Sequence, residues 1–549
     1  DQYTFAIDFG TTNTHIEYSV NKEPSVPFNI NENDVQMQHL GNYDLIREYI
    51  YDADFLPRFI GTDKCEFKFP IRTVLSAAKN TNWTQRVVPM GHTNIPMTYE
   101  RRSEYIYNRT LTNLKWSNDP DNVNRIQSYI ESLFLMIRNK VILNNGNVQA
   151  TKIIWFYPIS MTRNRYVLFK EQWEAAYRKY FSDRVENITS MTESVAPYEF
   201  FKGQYGTANI VSIDIGGGTS DVVIADRGAV QYVTSFRFAA NSIFGDAYAN
   251  LGGSVQNGMV RQFIGKIKDS LAQNNMVDLL KFIQSLEERN DSSDLASFFF
   301  SLHKNKKIEE KGFNDDVNYH RLLQLDENQK IVFLLFYSAL IYHVAKLMKA
   351  KDLQMPRFIT FSGNGSKVIS ILSSDNTLLA TYTKLIFEKV YGTDYHADGL
   401  SIKYNEERPK EVTCKGGIIC GVSESYDSIA PKKVVLRGSD CATFVNGETY
   451  QTITDDTIAS TVAEVRKFLD LIFSIPAEFS MRDNFGINHN SIDLAKEVCL
   501  KDLETITRNG LNEKKKEVSD QDVIEETMFF YPLVGVLNAL AGSIYENQL

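Results

Sequence analysis

Two stretches of the chain alternate apolar and polar positions in the same way, and a short polar turn interrupts each. From Tyr3 the sequence runs YTFAIDFGTTNTHIEYSV, and from Ala208 it runs ANIVSIDIGGGTSDVVIADRGAVQYVTSFRF. Alternation with period two, rich in β-branched and aromatic residues, predicts strands, and the glycine-bearing interruptions predict turns. Each stretch therefore opens as strand, turn, strand, with Asp8 or Asp214 ending the first strand. The second adds a third strand after Asp226-Arg227-Gly228. Such repetition suggests a duplicated architecture.

Elsewhere the period is helical. Over 121–143, residues Ile126, Ile130, Leu133, Phe134 and Ile137 share one face, which predicts a helix. Residues 153–157 predict an apolar strand ended by Pro158, and 167–181 a second helix. Residues 30–120, broken by Pro57, Pro70, Pro89 and Pro96, predict a small mixed subdomain. Residues 242–351 predict mostly helix, closing with a long helix from about 327 to 349, and a strand over 357–361 then meets the turn Ser362-Gly363-Asn364-Gly365. Further on, Asn446-Gly447 is a hairpin signal, because such a pair supplies positive φ at both central turn positions. Helices follow near 455–475, 491–508 and 520–546, while the charge run 513–517 reads as a solvated helix end or loop. The Phe298-Phe299-Phe300 cluster reads as core, Lys304 to Lys307 as a solvated face, and His15 as a strand-face residue.

A length of 549 residues exceeds one hydrophobic core, so two or three domains are expected. The expected boundaries are 1–200 with an inserted subdomain at 30–120, 201–425 with a helical insert at 242–351, and a C-terminal extension over 426–549. Hydrophobic residues at 43% and charged residues at 23% argue against wholesale disorder. The net charge of −9 argues against non-specific binding to nucleic acid or anionic membranes. The apolar runs 331–344 and 528–540 fall short of the ~20 residues a spanning helix needs. Buried helices in a soluble protein, with no membrane span, are therefore expected. The five cysteines are scattered and include no C-x-x-C pair, so reduced thiols and a cytoplasmic location are expected. The eight histidines show no metal-ligand spacing, so no metal bound by side chains alone is expected.

The candidate chemistry sits in the two turns. Successive amides of Gly10, Thr11, Thr12 and Asn13 can point into one concavity, a nest for phosphate oxygens, with threonine hydroxyls as added donors. Asp8, at the strand end, suits a hydrated Mg²⁺, which keeps most of its waters and needs only one or two carboxylates. In the second turn Gly216, Gly217 and Gly218 are consecutive, followed by Thr219 and Asp221. Three glycines pack nothing and cost entropy, so close backbone approach to a ligand accounts for them. No G-x-x-x-x-G-K-[ST] occurs, which excludes a P-loop.

The motifs D-x-G-T-T-N from Asp8 and D-x-G-G-G-T-x-D from Asp214, in this order, resemble the nucleotide-binding domain of DnaK-type heat-shock chaperones. That domain belongs to the superfamily of actin, bacterial actin-like filament proteins and sugar kinases. Met191-Thr-Glu-Ser-Val-Ala196 resembles its first connecting helix, Phe358-Ile-Thr-Phe-Ser-Gly-Asn-Gly-Ser366 its adenosine motif, and Glu411-Val-Thr-Cys-Lys-Gly-Gly417 its second connecting helix. The resemblance implies an α/β fold of two actin-like lobes, duplicated ribonuclease-H-like domains, with ATP or ADP and Mg²⁺ in the cleft and a C-terminal α-rich extension. It implies that the amides of Gly10, Thr11, Thr12 and Asn13 and of Gly216, Gly217, Gly218 and Thr219 cradle phosphates. Asp8 and Asp214 then hold Mg²⁺ through water, and Gly363, Asn364 and Gly365 lie against the nucleotide. Catalysis falls to Glu193, Asp8, Asp214 and Thr219, with Glu193, and Thr11 or Thr219, orienting the attacking water.

The adenosine turn lacks the chaperone's paired glycines and looks nearer to filament-type relatives. For the chaperone's catalytic lysine, Lys68 and Arg72 are the candidates. Nothing after about 425 resembles the chaperone's peptide-binding parts. The preferred expectation is a slow ATPase whose nucleotide state switches conformation on a protein partner, through 30–120 and 427–549. A filament-forming actin-like protein and a small-molecule kinase of the same fold are the alternatives.

Overall fold

A computed structural model describes residues 1–37, 56, 59–62, 67–85, 87–96, 108–117, 119–206, 208–247, 256–288, 291–396, 399–404, 408–421, 426–437, 443 and 447–547. The chain divides into two units. The first comprises Asp1–Gln204 with Lys410–Pro431, and the second Tyr205–Pro409 with Lys432–Leu549.

The first unit is built on β1 (Tyr3–Phe9), β2 (Asn13–Val20), β3 (Val26–Pro27), β4 (Lys152–Tyr157) and β5 (Ile188–Thr192). They lie in the order β3-β2-β1-β4-β5, and the short strand Ile71–Arg72 also pairs with β2. The first three are antiparallel neighbours, whereas β1, β4 and β5 run parallel. Period two sorts the side chains of β1 between faces. Phe5, Ile7 and Phe9 enter an aromatic core with Trp155 and with residues of helices Asn122–Leu143 and Arg163–Tyr180. Phe9, for example, packs edge-on against Tyr129 and Trp173. Ala6 and Asp8 take the opposite face, paired across strands with Glu17 and His15. Helix Glu411–Cys420 packs against β1 and β2, and Cys414 Sγ donates to the His15 carbonyl at 3.6 Å. Its approach needs Gly416, where a Cβ would lie 1.8 Å from the Ala196 carbonyl oxygen of helix Val195–Tyr205.

The second unit repeats the scheme. Strands β6 (Ile210–Ile215), β7 (Ser220–Asp226), β8 (Ala229–Phe236), β9 (Phe358–Ser362) and β10 (Ser401–Tyr404) lie in the order β8-β7-β6-β9-β10. The antiparallel and parallel relations match those of the first sheet one for one. Both sheets therefore carry the same 3-2-1-4-5 order, the ribonuclease-H-like pattern, and the chain has the α/β fold of the actin-like class. Helix Lys330–Ala350 is long and apolar enough to cross a membrane, but 94% of its apolar window is buried, as in a core helix. Phe298 and Phe299 are buried in the same core, and Lys304, Lys306 and Lys307 are exposed.

The C-terminal residues belong to this second core. Phe530 stacks on Phe236 at 4.1 Å and on Phe238 at 4.6 Å, and the Val434 amide donates to the Val233 carbonyl, extending the edge of β8. Sequence patterning set 426–549 apart, whereas residues 432–549 fall in one unit with 205–409. Most of their buried apolar residues join its core, with Tyr450, Ile458, Leu511, Ile524, Met528 and Tyr531 forming a smaller cluster. The helix expected over 491–508 is two, His489–Val498 and Leu503–Lys515, because Asp502 takes a left-handed φ of 52°. The last helix runs Phe530–Glu546 and so starts later than 520. The charge run at 513–517 is not wholly solvated. Lys514 is 6% exposed and donates to the buried Glu526 at 2.6 Å, while Glu517 pairs with Arg237. The proposed hairpin signal falls partly on Asn446, which lies outside the described residues, as do Cys65 and Cys441. Cys414, Cys420 and Cys499 are in no disulfide among the described residues.

Removing an aromatic ring from a packed core costs ~3–5 kcal/mol. Phe530→Ala is therefore expected to lower unfolding free energy by that amount in denaturant melts. A change within ~0.5 kcal/mol, the size typical of surface positions, would show that the C-terminal helix is peripheral.

Candidate functional site

The two turns are equivalent in backbone terms. Asp8 ends β1 opposite His15, and Asp214 ends β6 opposite Asp221. The Gly10 amide donates to the Asn13 carbonyl at 3.1 Å, and the Gly216 amide donates to the Thr219 carbonyl at 2.8 Å. Gly10 and Gly216 thus spend their N–H groups closing the turns. Gly10 is needed for space, since its Cβ would lie 2.4 Å from the Asn13 oxygen.

The carbonyls of both turns are bonded from behind. Thr73 donates through Oγ1 to the Gly10 carbonyl at 2.8 Å and through its amide to the Thr12 carbonyl at 2.9 Å. Thr73 is itself bonded to Thr14, which accepts from Tyr129 at 3.0 Å. In the second unit the amides of Ala240 and Asn241 donate to the carbonyls of Gly216 and Gly217. Among the described residues, the amides of Thr11, Thr12, Gly217 and Gly218 meet no acceptor. These four residues are half-exposed. A turn whose carbonyls are tied back and whose central amides remain unbonded has the polarity of an anion nest. Thr11 Oγ1 accepts from Trp116 Nε1 at 2.9 Å, and Thr219 is buried.

Asp8 is 4% exposed and its Oδ2 lies 2.5 Å from Lys410 Nζ, while Asp214 Oδ2 accepts from Ser362 Oγ at 2.6 Å. Glu193 follows β5, with its amide donating to the Tyr157 carbonyl and its carboxylate paired with Lys115, which is 2% exposed. Burial pushes the Glu193 carboxyl up from its ordinary value, and the Lys115 ammonium opposes that rise. Lys68 is exposed, and Arg72 is buried beside Asn13 on the strand that pairs with β2. The ammonium beside Glu193 is therefore that of Lys115. Sequence reasoning missed Lys115 and Lys410. The only local signal for Lys115 is a lysine enclosed by the buried Leu114 and Trp116.

The turn after β9 docks on the turn that follows β6. Gly363 has φ of 80°, and a Cβ there would lie 2.3 Å from the Ile215 oxygen, while one on Gly365 would lie 2.1 Å from the Gly216 oxygen. Gly363 and Gly365 thus meet the backbone of the Asp214 turn directly, and Asn364 stands between them at the start of a short 3₁₀ turn.

A divalent ion fits these groups by chemistry. Asp8 and Asp214 offer hard carboxylate oxygens, and the Lys410 ammonium marks the position beside Asp8 as one that favours positive charge. Among the described residues no three His, Cys, Asp or Glu side chains converge. Taken singly within its own unit, each strand-ending aspartate has the chemistry that a hydrated Mg²⁺ would accept, since that ion needs only one or two carboxylates.

No family model matches the sequence, and no curated protein sequence matches it. Solved structures do match, at low identity. MreB5 of Spiroplasma citri bound to AMPPNP is similar over 76% of this chain and 95% of its own, with 13% identity and a TM-score of 0.38. A MamK double helical filament is similar over 77% of this chain and 100% of its own, with 12% identity and a TM-score of 0.36. Ethanolamine utilization protein EutJ from Carboxydothermus hydrogenoformans is similar over 76% and 89%, with 9% identity and a TM-score of 0.29. Overlap at this level assigns no residue and no activity, and the fold assignment rests on the strand order of the two sheets.

Gly365→Ala forces a methyl group into the Gly216 carbonyl, and overpacking of this kind costs ~1–3 kcal/mol. Denaturant melts should show that loss. A Gly365→Ala variant as stable as the parent would mean that the two turns are not in backbone contact.

Proposed function

We propose that the chain binds ATP and hydrolyses it slowly, and that nucleotide state drives a conformational switch acting on a protein partner. One observation carries this reading. Two turns, equivalent in strand position and closing hydrogen bond, each leave two central amides without an acceptor among the described residues, beside a strand-ending aspartate. A polyphosphate supplies the acceptors those amides lack.

In this reading the amides of Thr11, Thr12, Gly217 and Gly218 and the neighbouring threonine hydroxyls bind phosphate oxygens. Asp8 and Asp214 would hold a hydrated Mg²⁺, which supplies charge neutralisation on the phosphates when bound. Glu193, kept in place by Lys115, accepts a hydrogen bond from the attacking water, so its worth is largest in the transition state. Catalysis is then positioning and charge stabilisation. Light scattering with and without ATP separates this reading from filament formation, in which scattering rises with nucleotide.

A ligand that binds only the folded state stabilises by mass action, ~2.7 kcal/mol at a hundredfold excess over Kd. Mg-ATP is accordingly expected to raise the Tm of the full chain, and Gly217→Val to abolish the rise by blocking backbone approach. An undiminished shift in that variant removes the second turn from the nucleotide.

Glu193→Gln is expected to lower kcat ~10²-fold with ATP affinity retained, the lower end for a positioned acid–base group. The carboxylate form is the useful one, and burial raises its pKa, so the rate is lost as pH falls through a value above the usual carboxylate range. Lys115→Met removes the opposing charge and should move that acid limb to higher pH in single-turnover profiles. An unmoved limb, or a Glu193→Gln rate equal to the parent's, leaves Glu193 a structural residue.

A further inference from the structure

Lys410 is the residue just before helix Glu411–Cys420, and its side chain is 12% exposed. Its ammonium lies 2.5 Å from Asp8 Oδ2. A Cβ built on Gly10 would also lie 2.9 Å from Lys410 Nζ. The ammonium therefore stands over the first phosphate turn itself as well as beside the carboxylate. Lys115 and Glu193 form a second buried pair, and Glu193 interacts electrostatically with Asp8 and Lys410. The two carboxylates are thus each balanced by an ammonium of the chain itself.

That balance matters for an anionic ligand. A lone aspartate at the end of a strand repels a phosphate and needs a cation between the two. Here the chain brings its own. An ammonium is a compact charge with three donors on a flexible stem, so it can bond Asp8 and a phosphate oxygen together.

We propose that Lys410 is a cation built into the first phosphate turn, neutralising nucleotide phosphate beside Asp8, so that a nucleoside triphosphate binds this chain without a divalent ion. The inference rests on the nucleotide reading given above. The competing role for Lys410 is an ion pair that only docks helix Glu411–Cys420 onto β1. A docking pair would weaken binding to the same degree whether or not a divalent ion is present.

The test is the affinity of the full chain for mant-ATP, measured in Mg²⁺ and in EDTA, for the parent, Lys410→Met and Lys410→Arg. The parent is expected to bind in EDTA within about tenfold of its Mg²⁺ affinity, a difference of ~1.4 kcal/mol or less. Lys410→Met should lose at least about tenfold more in EDTA than in Mg²⁺, and Lys410→Arg should keep parental behaviour. Binding by the parent in Mg²⁺ alone, or equal weakening of Lys410→Met in both buffers, overturns the proposal and leaves the nucleotide reading intact. Absence of binding by the parent in both buffers overturns the nucleotide reading and this inference with it. Should Lys410→Met fail to fold, the parent's ratio between the two buffers decides alone.

Discussion

The Gly10 amide bonds the Asn13 carbonyl and the Gly216 amide bonds the Thr219 carbonyl, and the remainder of each turn is organised by that contact. With the first amide spent, the carbonyls must find donors elsewhere, because an unpaired buried carbonyl is costly. Thr73 supplies them in the first unit and the start of helix Ala240–Phe244 supplies them in the second. Different elements thus solve the same problem, and both solutions leave the central amides without an acceptor among the described residues. The polarity of the turns follows from how their backs are bonded, and the glycines provide the room.

Charge is handled by pairing. Burying an ion costs several kcal/mol unless a partner of good geometry repays it. Asp8 has Lys410, Glu193 has Lys115, and His15 faces Glu17 at 3.0 Å with both side chains buried. The Lys410 ammonium stands beside the first turn as well. His15 and Glu17 lie on the same sheet face as Asp8, since cross-strand partners share a face. Loss of either lysine would leave a buried carboxylate without compensation, and at Glu193 the neutral form would then gain.

The second unit uses the same device. Arg237, just after β8, pairs with Glu517 and donates its amide to Glu526, while Lys514 with Glu526 and Lys433 with Glu525 pair within the C-terminal residues. Burial pushes the Lys433 ammonium down to about 7, with Glu526 and Asp221 opposing the fall. Asp221 closes the glycine motif, so the C-terminal ion network lies within electrostatic reach of the second turn. Together with the stacking of Phe530 on Phe236 and Phe238, this makes residues 432–549 part of the second unit's body.

Alternation over Tyr3–Phe9 and Asn13–Val20, and over the three strands from Ile210, was legible because side-chain period and turn chemistry depend only on neighbours along the chain. The same holds for Asp8, Asp214 and the glycines, which the turns require locally. The ion partners were not legible. Lys115 meets Glu193 across 78 positions, and a lysine in a loop carries no mark of the carboxylate it will reach. The charge run at 513–517 looked solvated because its composition is polar, yet the fold places Lys514 against Glu526 and Glu517 against Arg237. Lys410 likewise reaches Asp8 only through the packing of the helix it precedes against β1 and β2. Local pattern determined the strands, the turns and the aspartates that end them. Tertiary packing decided which cations face those aspartates, because an ion pair is set by distance in space and leaves no period in the sequence.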